Sequence, residues 1–258
     1  AKDPTESGFE LHYRDIGDYL TAGEKLDIVE SSTVESIEWQ PVTPNDDGDW
    51  LNQRSEDFSS WPLLGDSKRS VGTRYFDATS NGVSTGRDRW AYASSSGELK
   101  SNIRTLIETY NQALENYPGK SVQRATSFQV ENPKFVDPVK VKWSSRLIQV
   151  FESGRRITFS DTRIRKSLYR PFMAQYVYYD SDLNERRYQL PSMFPERNNS
   201  NIGFILTGSS SHYDFGLIAT DLLPNLHTLD TGQYFPRFTW TSVEADDGCL
   251  LYTSPSPR

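Results

Sequence analysis

An α+β fold with mixed or antiparallel sheets and several helices is what this sequence predicts. One strongly amphipathic helix stands out near residues 97–117, and short strand-like runs crowd roughly the last 80 residues. Helical and strand-like segments do not alternate as repeated βαβ units would, which argues against a doubly wound sheet. With 258 residues, 35% of them hydrophobic and 13% aromatic, the chain can form one or two domains with a sizeable core. The longest apolar runs, such as Ile202–Leu206 and Phe215–Ala219, are strand-sized and far too short to cross a bilayer. A single cysteine excludes a disulfide framework and a cysteine metal site. A soluble, reducing compartment, the cytoplasm, is therefore expected.

Phe9–Arg14 alternates as a strand that needs a neighbour. Thr21, with Glu24 three residues on, forms a capping box for a helix to about Ser31. Pro41 and Pro44 then mark a loop, and Asn45–Asn52 reads as an acidic turn; its glycine spacing and lack of a closing Glu exclude an EF-hand loop. Ser95 and Glu98 cap the main helix, whose Leu99, Ile103, Leu106, Ile107, Tyr110, Leu114 and Tyr117 share one arc of roughly 100°. Arg104 and Glu108 point away from that arc as an i,i+4 pair. Val139–Trp143 alternates as a strand, Ser144 caps a short helix to Glu152, and Gly154 ends it. Arg156–Phe159 is a strand, Ser160 opens a helix ending at or just before Arg170, and strands follow at 175–179, 202–207, 215–220 and 235–241.

Charge is segregated. Residues 1–66 hold 16 acidic and 4 basic side chains, residues 67–200 hold 13 and 22, and the remainder holds 6 and 2. A basic middle suits phosphate contacts; a solvated basic face with no partner would have the same composition. The densest excess lies in 140–187, with 11 basic and 5 acidic residues. If 160–170 is helical, Arg163, Lys166 and Arg170 form a stripe within about 60°, anchored by Ile164 and Leu168. Arg155, Arg156 and Arg165 add to it. The loop Ser84-Thr85-Gly86-Arg87-Asp88-Arg89-Trp90 mixes hydroxyls, guanidinium groups and an aromatic ring, as recognition loops do, although an Arg87–Asp88 structural pair would look the same. Trp90 and Tyr92 read as core. Polar readers of adenine would be Asn or Gln, here Gln175, Asn184, Gln189, Asn198, Asn199 or Asn201.

Catalytic signatures fail. There is no phosphate-binding glycine loop followed by Lys, and no Asn-Pro-Pro-aromatic or Asp-Pro-Pro-aromatic tetrapeptide. His12, His212 and His227 lack metal-ligand spacing, and Asp180 with Glu185 makes only a chance carboxylate pair.

Two stretches carry a family likeness: Gly82-Val83-Ser84-Thr85-Gly86-Arg87-Asp88-Arg89-Trp90-Ala91-Tyr92 running into the helix that ends Ile107–Asn111, and Ile164–Phe172 followed by Tyr178–Asp180 and Leu183–Arg186. Asp15–Leu20 and Gly232–Pro236 are further landmarks. Together they resemble the C-terminal specificity region of type ISP, or "predicted helicase", restriction-modification enzymes, over about residues 9–247. In those relatives the fifth position of the first motif is usually Asn, whereas Gly86 stands here.

The resemblance implies a target-recognition-like fold that binds double-stranded DNA. It also implies a larger polypeptide supplying an adenine-specific methyltransferase, a helicase and a nuclease, with S-adenosylmethionine, ATP and Mg as that parent's cofactors. By that analogy residues 1–66 finish the methyltransferase sheet and act as connector, and 67–247 form the target-recognition domain. Residues 248–258, of which Cys249–Arg258 read like a translated sequencing-library adapter, form a non-native tail, and the chain is a fragment. A protein-interaction or scaffold module, its basic middle packed on its acidic leader, is the competing reading, and a nuclease activity of the fragment is a third.

Overall fold

The computed structural model describes residues 10–65, 74–116, 140–195, 200–208, 211, 213–244 and 250–253, the segments 241–244 and 250–253 as backbone only. The chain divides into two compact units, Ala1–Trp61 and Pro62–Arg258.

In the first unit β1 (Leu11–Tyr13) finds its neighbour in β2 (Gln40–Val42), antiparallel with Leu11 opposite Val42. Helix α1 (Ala22–Glu30) starts at the expected capping box: the Glu24 amide donates to Thr21 Oγ1 (3.3 Å) and the Thr21 amide to Glu24 Oε2 (2.7 Å). The acidic turn is closed by Arg54, whose Nε donates to Asp49 Oδ2 at 2.6 Å and holds that carboxyl down at about 2. No described residue of this unit is buried, and Trp50, Phe58 and Trp61 are exposed.

The second unit is built on two four-stranded sheets. After β3 (Leu63–Gly65) and β4 (Arg74–Phe76), which pair in parallel, come β5 (Ser80–Asn81), the short helix α2 (Asp88–Ala91) and β6 (Tyr92–Ala93). Helix α3 begins at Ser96 and is described to Asn116; α4 spans Ser145–Glu152. Then follow β7 (Ile164–Arg170), β8 (Met173–Tyr178), β9 (Gly203–Leu206), β10 (Leu217–Thr220), β11 (Leu223–Pro224), β12 (Gln233–Pro236), β13 (Thr241–Glu244) and β14 (Leu250–Thr253). One sheet has the order β11-β7-β8-β6 and the other β10-β9-β12-β5; β13 pairs with β14.

Alternation along β8 divides the core. Tyr178 joins α3 and α4 in one hydrophobic cluster with Leu99, Ile103, Leu106, Tyr110, Trp143 and Leu147. Val177 and Tyr179 join the other, with Tyr92, Leu190, Met193, Ile205 and Tyr234. The helices thus cover one face of the β7–β8 sheet and the second sheet's residues meet the other. Burying each Leu or Ile of α3 contributes about 1.5–3 kcal/mol, which is why its apolar arc, rather than local propensity, fixes the helix here.

Three sequence expectations are corrected. Residues 160–170 do not form a helix: Ser160 caps only a 3₁₀ turn at Asp161–Arg163, and Ile164–Arg170 is a strand paired antiparallel with β8, Lys166 opposite Tyr176. Ile164 and Leu168 are four apart, a spacing that fits one helix face and one strand face equally. The supposed basic stripe therefore does not exist as a helix face. Arg156–Phe159 is not a strand, because Asn111 of α3 takes the place of a neighbouring strand. Its Oδ1 accepts from the Ile157 amide (3.1 Å) and its Nδ2 donates to the Ile157 carbonyl (2.9 Å). Lys140–Trp143 is irregular too, although exposed Lys140 and Lys142 still alternate with buried Val141 and Trp143; Val139 lies outside the described residues.

Candidate nucleic-acid interface

The loop at 82–90 is seated by backbone rather than by its charges. Val83 donates to the Pro224 carbonyl (2.8 Å) and accepts from the Leu226 amide (2.9 Å). Ser84 exchanges two backbone hydrogen bonds with Arg186, at 2.9 and 3.0 Å. Gly82 is required because a Cβ there would lie 2.2 Å from the Asn225 carbonyl group. Gly86 has φ +65°, and a Cβ would meet the Cβ atoms of Glu185 and Ser144 at 3.3 and 3.4 Å. Glycine and asparagine are the residues that accept this left-handed backbone, so this backbone suits Gly86 and would also suit the Asn that the resemblance leads one to expect there.

Beneath the loop lies Arg87, only 1% exposed. Its guanidinium donates to the Leu183 carbonyl and to Ser144 Oγ (2.6 Å), joining the loop, the 180–186 turn and the start of α4. Burial pulls it down to about 10 against the opposing pull of Glu185 and Asp180, so it is charged at neutral pH. Glu185 accepts from the Arg146 amide (3.1 Å) in the first turn of α4, and Asp180 Oδ1 accepts from the amides of Asp182 and Leu183, both 2.8 Å. These two carboxylates are structural. Thr85 is buried as well; its hydroxyl donates to Asp88 and accepts from the Arg87 amide (3.1 Å).

Above this network opens a cleft of about 400 Å³ lined by residues 83–90, Lys142 and 225–227. Arg89, Lys142 and His227 on its wall are exposed. Its floor includes buried Asn225, whose Nδ2 donates to the Tyr92 hydroxyl (3.0 Å) and whose Oδ1 accepts from the His227 amide (2.8 Å) and Arg170 Nη1 (2.9 Å). Arg170 also lies 3.8 Å from Asp88 and stacks over the Tyr169 ring at 4.2 Å, tying the β7–β8 hairpin to the cleft.

The expected site residues therefore separate. Arg89 is exposed on the cleft, Ser84 is half-buried there, and Thr85 and Arg87 lie underneath. Lys166 is exposed on β7; Gln175 is half-buried on β8, its Nε2 donating to Met173 Sδ at 3.6 Å. Arg163 pairs with buried Asp180, and Arg165 donates to the Pro195 carbonyl (3.3 Å). Arg155 and Arg156 are exposed but paired, with Asp182 (2.9 Å) and Glu115 (2.6 Å). Asn184 is 2% exposed and bonded internally, accepting from the Asp180 amide (2.7 Å) and donating to the Tyr178 carbonyl (3.0 Å). Asn201 is likewise buried, and Asn198 and Asn199 lie outside the described residues. The acids meeting Arg155, Arg156, Arg163 and Arg170 all belong to the second unit rather than to the acidic leader. Sequence reasoning missed Lys142, Asn225 and His227 as cleft residues. The Pro224-Asn225 pair was a usable turn signal, since Asn225 caps the amide two residues on.

Residues 74–248 match the family described as the Type ISP C-terminal specificity domain. The chain belongs to this family. Among solved structures it resembles a nuclease-deletion mutant of the Type ISP restriction-modification enzyme LlaGI in complex with a DNA substrate mimic, with TM-score 0.77 and 29% identity, over 96% of this chain and 23% of that one. The ATP-dependent Type ISP enzyme LlaBIII bound to DNA gives 0.77 and 26%, over 95% and 16%, and a cryoEM DrdV–DNA complex gives 0.75 and 28%, over 95% and 24%. No curated protein matches. This specificity domain thus spans about a quarter or less of the length of those three chains. Among the described residues no helix is long and apolar enough to cross a membrane, and no group of three or more His, Cys, Asp or Glu could hold a metal ion.

Proposed function

We propose that this chain reads a double-stranded DNA target for a restriction-modification enzyme. The observation that carries the reading is the family match, which falls on the unit that presents Arg89 of the loop, and Lys142 ahead of α4, on an open cleft. Arg89, Lys142 and Lys166 supply phosphate contacts, His227 and Gln175 can address base edges or sugars, and Arg87, Thr85, Asn184 and Asn225 hold the surface in shape. The structural neighbours being described with DNA supports the same reading.

The rest of the polypeptide would carry adenine methylation, translocation and cleavage, with S-adenosylmethionine, ATP and Mg bound there. The described residues of this chain do not fit a metal, so no step of that chemistry is assigned to them. A partner for the first unit is favoured by the lack of any buried residue among its described residues, since a unit of this size without a core does not hold its shape alone. The methyltransferase portion is the covering body in this reading.

The test is enrichment of the full chain's bound fraction from a pool of randomised duplexes. Recovery of one short sequence supports target reading; recovery of unselected sequences, or of no DNA, refutes it.

A further inference from the structure

The β7–β8 hairpin ends in a turn of two residues, Pro171 and Phe172, with Arg170 opposite Met173. Phe172 has φ +63° and is 91% exposed. Proline followed by a positive-φ residue is the pattern of a type II turn, whose second position ordinarily takes Gly or Asn. A phenylalanine there strains the backbone and, being exposed, gains no packing in return. Pro171, Met173 and Ala174 are exposed beside it, making an apolar tip. Behind the tip stand Arg170, which flanks the turn and is bonded to Asn225 on the floor of the cleft, and, farther down the strand, exposed Lys166. An apolar tip backed by cations is complementary to a stacked polyanion.

We propose that Phe172 is an apolar wedge that enters between two base pairs of the target duplex and kinks it, while the cleft residues hold the flanking phosphates. Aromatic wedges of this kind unstack a base step and recover that cost through the additional surface a bent duplex meets. The inference rests on the DNA reading above and deepens it. Sequence preference would then include ease of unstacking at the wedged step, favouring a pyrimidine–purine step.

The experiment uses the full chain and an end-labelled duplex carrying the enriched sequence, with affinity and end-to-end energy transfer as readouts. Phe172→Gly should leave the thermal midpoint unchanged or higher, because it relieves the positive φ, yet weaken affinity about tenfold and lose the bend. Phe172→Ala should lose both to a similar extent, and Phe172→Leu should retain most of the bend. Unchanged affinity and bend in Phe172→Ala and Phe172→Gly, as expected if the tip meets another part of the polypeptide instead, overturns the wedge alone. So does a straight duplex in the wild-type complex. Absence of wild-type binding overturns the DNA reading together with the wedge.

Discussion

Arg87 and Arg89, two positions apart in one loop, should behave oppositely when replaced. Arg87→Met keeps most of the side-chain volume, so its effect reports charge and hydrogen bonding rather than a cavity. The substitution orphans the Leu183 carbonyl and Ser144 Oγ and leaves Asp180 and Glu185 without a buried cation between them. Breaking such a buried arrangement costs about 3–5 kcal/mol. At about 2–4 °C per kcal/mol for a unit of this size, the thermal midpoint should fall by about 6–20 °C. Arg89 is exposed and stacks only loosely, 5.9 Å over Trp90, so Arg89→Ala should stay within about 0.5 kcal/mol of wild type while weakening DNA binding. Thermal melts followed by circular dichroism, alongside duplex titration, check both. If Arg87→Met melts with wild type, or Arg89→Ala melts as early as Arg87→Met, the division of this loop into scaffold and contact residues is wrong.

Asn111→Ala should cost about 2–3 kcal/mol in urea unfolding, because both Ile157 backbone groups lose their partner in the interior. At the motif's fifth position, Gly86→Asn should be tolerated, whereas Gly86→Val should destabilise by more than about 1 kcal/mol, since a branched side chain rejects positive φ and crowds Glu185 and Ser144; comparing the two melts decides it. Burial pushes the hydroxyls of Tyr92, Tyr179 and Tyr234 well above the ordinary tyrosine value. Their raised folded values give stability that is whole below about pH 10 and lost as pH rises through the alkaline range, where unfolded tyrosines ionise first. Arg87, depressed in the folded state, opposes this with a single group. The thermal midpoint should therefore fall above about pH 10, and a flat profile to pH 11 contradicts the assignment.

Much of the fold was legible in sequence. The Thr21–Glu24 box, the arc of α3 and the glycine stop after α4 are local signals, and for α3 and α4 burial of the apolar face reinforces them. The 160–170 segment misled because apolar residues four apart satisfy two periodicities, and only pairing with β8 chooses between them. Within the candidate site, residue type pointed to the right loop but not to the right side chains. Arg87 and Arg89 carry the same group, and which one is buried depends on Ser144 and Leu183, distant in sequence. Asn225 and Lys142 were invisible as cleft residues for the same reason: Asn225 offered only a turn signal until backbone pairing with the loop and β7 brought it there, and Lys142 reaches the cleft from a segment distant in sequence.

The most direct measurement of the central claim is duplex affinity against salt for wild type and for the combined Arg89→Ala, Lys142→Ala, Lys166→Ala variant. Each neutralised phosphate contributes about −0.9 to the log–log slope, so the variant should bind more weakly with a slope shallower by about 2 to 3. Equal slopes, with folding intact, would contradict a DNA-reading surface built on these exposed cations.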